Sequence, residues 1–83
     1  MNFQQSQQLD TAIGQTLRDR RRELGLPILH VSKLLGIPHS FVNKVETGNR
    51  KLSAGEFDSY CLALDISREL VIANSKKTIQ SVT

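Results

Sequence analysis

Apolar residues recur along this chain at the spacings of amphipathic helices, and turn residues divide them into segments. The pattern predicts a helix over residues 28–35, a turn that contains Gly36 and Pro38, and a second helix over about 39–46. Gly48 follows, and glycine tolerates the left-handed conformation found just past helix ends. Two short helices joined by a tight, glycine-containing turn form a helix-turn-helix unit.

A further helix is predicted before this pair. Ile13, Leu17 and Leu24 fall on one stripe, which indicates an amphipathic helix packed on a core. Asp10 and Thr11 are both acceptable N-caps, so we expect the helix to start near them.

The strongest local signal in the chain marks a fourth helix. Ser53-x-x-Glu56 is a capping box, and Leu52 and Phe57 occupy the two positions of a hydrophobic staple. We therefore expect a helix to begin at Ser53. Its predicted inner stripe consists of Phe57, Tyr60, Cys61 and Leu64.

Residues 68–73 permit two interpretations. The segment fits a short helix, and its compact run of β-prone residues also fits a strand, which would have to pair with a second copy of the chain. Either way Leu70, Val71 and Ile72 are candidate dimer contacts. We expect flexible or polar tails at 1–9 and 74–83.

Length and composition indicate one domain. The 83 residues can bury a modest core, and the single cysteine excludes an intramolecular disulfide framework and fits a reducing compartment. No apolar run approaches a membrane span, and the N-terminal residues do not resemble a secretory signal. We expect a cytoplasmic protein without a membrane partner.

Charge is distributed unevenly along the chain. The net charge is +3, but residues 11–52 hold eight Lys and Arg against three acids, whereas residues 53–66 hold three acids and no base. This asymmetry favours an anionic partner, with nucleic acid the leading candidate and a generic solvated surface the alternative.

Motifs spread over residues 13–72 resemble those of the Cro/repressor-type (XRE-type) helix-turn-helix proteins, especially small stand-alone bacterial and prophage regulators. The resemblance rests on Ile13-Gly14-x-x-Leu17-Arg18-x-x-Arg21-x-x-x-Gly25-Leu26, on Leu35-Gly36-Ile37, and on Pro38-x-Ser40-Phe41-Val42-x-Lys44-Val45-Glu46-x-Gly48-x-Arg50-x-Leu52-x-x-x-Glu56-Phe57. It implies an all-α fold, a compact five-helix lambda-repressor-like DNA-binding domain over 10–73 that works as a homodimer, with the helix-turn-helix motif at about 28–47.

Three positions depart from the pattern of that family. Numbered in chain order, the predicted helices over 28–35 and 39–46 are helices 2 and 3; many members carry Gln at the start of helix 2, preceded by Ser, where this chain has Ile28 and Pro27. Many carry Gly after helix 4, where this chain has Asp65. The first two departures weaken the expectation of a side-chain phosphate contact at helix 2, although backbone N–H groups there can hold a phosphate.

The resemblance places the base-reading side chains on helix 3. The candidates are His39, Ser40, Asn43 and Lys44. All four are polar, and an Asn can bond adenine bidentately while a Lys can reach guanine acceptors. Phe41 is a candidate thymine contact. Alternatively, Ser40 caps the helix and Phe41 packs on helix 2.

Phosphate contacts and a structural ion pair complete the predicted site. Candidates for phosphate contact, which fixes register rather than reading sequence, are Asn49, Arg50, Lys51 and, less strongly, Lys33. The alternative is that they are ordinary solvated residues. Arg21 and Glu46 resemble the buried ion pair that in the family links helix 1 to helix 3.

No enzymatic chemistry is indicated. The chain has two histidines and one cysteine, Cys61, which falls on a predicted inner face where inert packing is expected. There is no zinc-type spacing and no phosphate-cradling glycine loop. We expect no catalytic residue, no metal and no cofactor.

The leading hypothesis is therefore a regulator that binds a near-palindromic double-stranded DNA operator, with repression favoured over activation. One alternative is the antitoxin of a toxin–antitoxin pair, with Leu70–Ala73 or Ile28 and Leu29 meeting the toxin. The other is a protein-interaction module that kept the fold and lost DNA binding.

Overall fold

The structure is a computed structural model that describes the backbone of residues 2–82 and the side chains as far as residue 80. Five α-helices and no strand are present in that range. They are α1 (Phe3–Glu23), α2 (Ile28–Leu35), α3 (His39–Glu46), α4 (Ala54–Ala63) and α5 (Arg68–Val82). The all-α, five-helix prediction is confirmed.

The helix-turn-helix unit has the predicted bounds because its turn residues end and restart the chain at fixed points. Pro27 and Pro38 are the N-caps of α2 and α3. Gly36 ends α2 in the left-handed conformation (φ 65°). Such a conformation is strained for side-chain-bearing residues, so glycine is the natural choice at this turn.

Helix α4 starts where the capping box predicts. The Ser53 hydroxyl accepts from the Glu56 amide at 3.2 Å, and the Glu56 carboxylate accepts from the Ser53 amide at 2.8 Å. The helix ends before Asp65, the position that departs from the family pattern, and Asp65 adopts φ 51°. Arg20 stabilises this end of α4 by donating to the carbonyls of Leu64 and Asp65, both at 2.9 Å.

Helix α1 begins at Phe3, so the predicted start near Asp10 is wrong. Asn2 and Gln5 form a capping box, with the Asn2 side chain accepting from the Gln5 amide at 2.9 Å. Leu24 was expected in the apolar stripe but is the C-cap of α1, and it is exposed because the helix ends there.

Helix α5 settles the ambiguity of residues 68–73 in favour of a helix, and it continues through most of the predicted polar tail. It packs along α1, and Thr16 and Ser75 share a hydrogen bond of 3.1 Å between them. Val71 is fully buried within this single chain. The prediction of Val71 as a dimer contact is therefore wrong, because its side chain already belongs to the core.

The core lies between the five helices, and each helix contributes at least one buried apolar side chain to it. Its buried apolar side chains are Leu17, Val31, Val42, Val45, Tyr60, Cys61, Leu64 and Val71. Ile28 packs against this cluster as a partly buried residue, which gives the apolar start of α2 a structural role. None of the helices in residues 2–82 combines the length and the apolar character needed to cross a bilayer.

Candidate nucleic-acid interface

One face of α3 is polar and open to solvent. His39, Ser40, Asn43 and Lys44 are all exposed, while Val42 and Val45 are buried on the opposite face. Positions i, i+1, i+4 and i+5 of a helix share one side, so the four candidate base-reading residues project together. Because the two valines are buried, α3 is rotated about its axis so that the four polar side chains face solvent.

Ser40 does not act as the cap of α3. The N-cap is Pro38, which offers no side-chain hydrogen bond, and Ser40 lies inside the first turn with its side chain exposed. The alternative interpretation of Ser40 as a capping residue is wrong because the helix begins at His39.

Close packing on α1 sets the position of α3. A Cβ atom built on Gly14 would lie 2.0 Å from the carbonyl oxygen of Val45. No side chain fits in that space, so the backbones of the two helices approach as closely as glycine permits. The sequence holds Gly14 within its family motif, but the contact partner is visible only in the structure.

Arg21 and Glu46 form a buried, bidentate ion pair between α1 and α3. Arg21 Nε lies 2.6 Å from Glu46 Oε2, and Arg21 Nη2 lies 3.0 Å from Oε1. Arg21 Nη1 donates to the carbonyl of Leu26 at 2.8 Å. The Glu46 hydrogen bonds raise the pKa of Arg21 against the opposing effect of burial, so the guanidinium remains charged. The predicted pair thus joins α3 to both α1 and the turn after it.

The loop after α3 is tied to the end of that helix. The amides of Asn49 and Arg50 donate to the carbonyl of Lys44 at 2.8 and 3.2 Å, and the Asn49 side chain donates to Thr47 Oγ1 at 3.1 Å. The side chains of Asn49, Arg50 and Lys51 are exposed. The structure therefore extends the polar face of α3 directly into the three loop residues predicted to contact phosphates.

Arg50 makes two side-chain contacts that the sequence did not indicate. Its guanidinium carbon lies 4.4 Å from the centre of the Phe41 ring, and its Nη2 lies 3.0 Å from Glu56 Oε2. Phe41 itself is partly buried against the core. The hydrogen bond from the Ser53 amide holds the pKa of Glu56 below its usual range, so this carboxylate is ionised at neutral pH.

Helix α2 contributes less polar surface. Lys33, the fourth phosphate candidate, is exposed in the last turn of α2. Leu29 and Leu34 are each 54% exposed. Lys33 is thus accessible, but it lies on α2, whereas the other phosphate candidates lie in the loop after α3.

Cys61 is buried in the core, and burial raises the pKa of its thiol, which favours the unreactive protonated form. Within the described residues, no group of three or more His, Cys, Asp or Glu side chains could hold a metal ion.

A profile of a family described as a helix-turn-helix domain matches residues 12–72. The chain belongs to this helix-turn-helix family. The match covers α2, α3, α4 and the candidate interface, whereas residues 3–11 of α1 and residues 73–82 of α5 extend beyond it.

Solved structures of known proteins share the fold of this chain. The restriction-modification controller protein C.AhdI from Aeromonas hydrophila is 33% identical, with a TM-score of 0.69 over 74% of this chain and 92% of that one. The clp gene regulator ClgR from Corynebacterium glutamicum is 22% identical, with a TM-score of 0.83 over 89% and 81% of the two chains. A mutant of the controller protein C.Esp1396I is 17% identical, with a TM-score of 0.77 over 87% and 91%.

The family match and the relative C.AhdI place the chain among XRE-type helix-turn-helix regulators, as the sequence motifs predicted. The chain shares the fold of helix-turn-helix DNA-binding regulators. A comparison with curated protein sequences finds no match.

Proposed function

We propose that this chain is a sequence-specific transcriptional regulator that binds double-stranded DNA as a homodimer, with α3 in the major groove. The observation that carries the proposal is the exposed polar face of α3, held in place by the packing of Val42 and Val45 and by the ion pair of Glu46. A major groove about 12 Å wide admits an α-helix, and polar side chains on its outer face can reach base edges.

The four residues on this face have suitable chemistry for reading bases. Asn43 can donate to and accept from adenine in a bidentate pair, and Lys44 can donate to guanine N7 and O6. His39 and Ser40 lie in the first turn, where they can donate or accept at base edges. Phe41 contributes less as a thymine contact, because one side of its ring faces Arg50.

Phosphate contacts would fix the register of α3. Asn49, Arg50 and Lys51 continue from the end of α3, and Lys33 is exposed on α2. The amide groups at the start of α2 offer a further anion site in place of the Gln side chain that many family members carry there.

Dimer formation would use the surface of α4 and α5. Phe57, Ile72 and Ala73 line an open groove between these helices, and Leu70 is half exposed nearby on α5. A two-fold dimer reads a near-palindrome with half-sites about 34–36 Å apart. Covering a promoter in this way would repress transcription.

Selection from random duplexes, followed by fluorescence anisotropy on the enriched site, tests the proposal. We expect a palindromic consensus and an affinity that falls with salt at a log–log slope of about −0.9 per phosphate contacted. Asn43→Ala should weaken binding to the selected site by about 1–3 kcal/mol, roughly 5- to 150-fold, with little effect on random DNA.

Ser59→Ala is the matched control, since Ser59 is a similarly exposed helical residue on α4. It should leave both affinities unchanged. Failure to enrich any duplex, together with no salt-sensitive binding to random DNA, would overturn the proposal.

A protein-binding role is the second candidate function, favoured by the exposed Leu29 and Leu34 on α2. An antitoxin would use such a surface to hold its toxin. Co-purification of one small protein in stoichiometric amount, lost on Leu29→Lys, would support this role. Operator selection by the isolated chain would favour the regulator.

A further inference from the structure

Arg50, one of the candidates for phosphate contact, is paired with an acid of the same chain. Arg50 lies on the Phe41 ring at 4.4 Å and reaches Glu56 at 3.0 Å. Its backbone amide is tied to Lys44 at the end of α3. The guanidinium is thus fixed beside the candidate recognition helix, unlike a lysine free to move in solvent.

The Glu56 carboxylate accepts a hydrogen bond at each of its two oxygens. One oxygen of its carboxylate accepts the Ser53 amide at 2.8 Å in the capping box of α4, and the other accepts from Arg50. The capping box therefore places a negative charge beside Arg50. The two side chains are 43% and 38% exposed, so the pair faces solvent and a polyanion can approach it.

A carboxylate in this position acts against phosphate binding in two ways. It occupies one edge of the guanidinium, and its charge repels a phosphate that approaches the remaining N–H donors. Arg50 has five donors in a planar fork, so it can keep Glu56 on one edge and bind phosphate on another. The result is a contact that is well oriented but weaker than that of an unpaired arginine.

We propose that Glu56 limits the affinity of this protein for the DNA backbone by holding Arg50 in an internal ion pair on Phe41. The inference rests on the proposed function and adds that one internal ion pair lowers the affinity for phosphate at Arg50. Weaker backbone binding leaves a larger share of the binding free energy to base contacts, since phosphate contacts carry no sequence information.

Glu56→Gln tests the role of this ion pair, because glutamine at this position still completes a capping box while the charge is lost. Anisotropy titrations with a random-sequence duplex and with the selected operator are run across a series of NaCl concentrations. We expect the variant to bind random DNA about three- to tenfold more tightly at low salt, with the gain shrinking as salt screens the charges. A double-mutant cycle with Arg50→Ala should remove most of the gain.

Asp58→Asn is the matched control, because it also removes one negative charge from an exposed position on α4. An equal gain from Asp58→Asn, an undiminished gain in the Arg50→Ala background, or no gain from Glu56→Gln overturns the role of the ion pair while leaving the proposed function intact. If neither the wild type nor Glu56→Gln binds DNA at low salt, the proposed function fails and the inference fails with it.

Discussion

Replacing Arg21 with alanine should strongly destabilise this protein, because the substitution leaves the Glu46 carboxylate buried without its partner. The two side chains are 9% and 4% exposed, and the substitution removes both hydrogen bonds to Glu46 and the one to the Leu26 carbonyl. Breaking a buried ion pair on one side costs about 3–5 kcal/mol. An 83-residue domain has a total stability of about 4–12 kcal/mol.

Thermal unfolding followed by circular dichroism measures the effect. With about 4–8 °C lost per kcal/mol in a domain of this size, the melting temperature should fall by about 12–40 °C. Arg21→Met combined with Glu46→Leu should recover most of the loss, since replacing both partners with apolar residues is often neutral or stabilising. Arg21→Ala melting at the wild-type temperature would refute the reasoning, as would a double variant no more stable than the single one.

Two further predictions follow from packing. Gly14→Ala should lower the free energy of unfolding, measured by urea titration, by about 1–3 kcal/mol or more, since its Cβ would lie 2.0 Å from the Val45 carbonyl oxygen. The control is Gly55→Ala, whose Cβ would meet nothing within 4 Å. In the same titration it should be neutral or stabilising by about 0.5–1 kcal/mol. The Cys61 thiol should react with a thiol reagent only as fast as the protein opens, because it is buried and its pKa is raised by burial. Rapid labelling of native protein at neutral pH would contradict this.

The bounds of α2 and α3 and the start of α4 could be predicted because residues close in sequence determine them. Pro27, Gly36 and Pro38 restrict the backbone at their own positions, and Ser53 with Glu56 caps α4 through contacts three residues apart. Such signals depend on neighbours in sequence, so they can be identified without knowing the fold.

The ends of the chain could not be predicted in the same way. The Asn2–Gln5 capping box has the form of the one at Ser53, but no strong apolar stripe follows it to mark a helix. Val71 and Ser75 lie one helical turn apart and are both fully buried against the other helices. Only the packing of α5 on α1 reveals that this polar segment has a buried side.

The candidate site likewise contains contacts that the sequence predicted and contacts that only the structure shows. Arg21 and Glu46 could be named from the family motifs, and their distances then supplied the geometry. The contacts among Phe41, Arg50 and Glu56 could not be named, since they cross from α3 through a loop to α4. Their meeting depends on the angle between two helices, which no local pattern encodes.

The hydrogen bond between Thr16 and Ser75 has a consequence for how the protein is made. The two residues are 59 positions apart and join the first helix to the last. At a synthesis rate of about 5–20 residues per second, the ribosome adds Thr16 to the chain roughly 3–12 s before it adds Ser75. During translation the inner side of α1 therefore lacks its contact with α5 until Ser75 has been added to the chain.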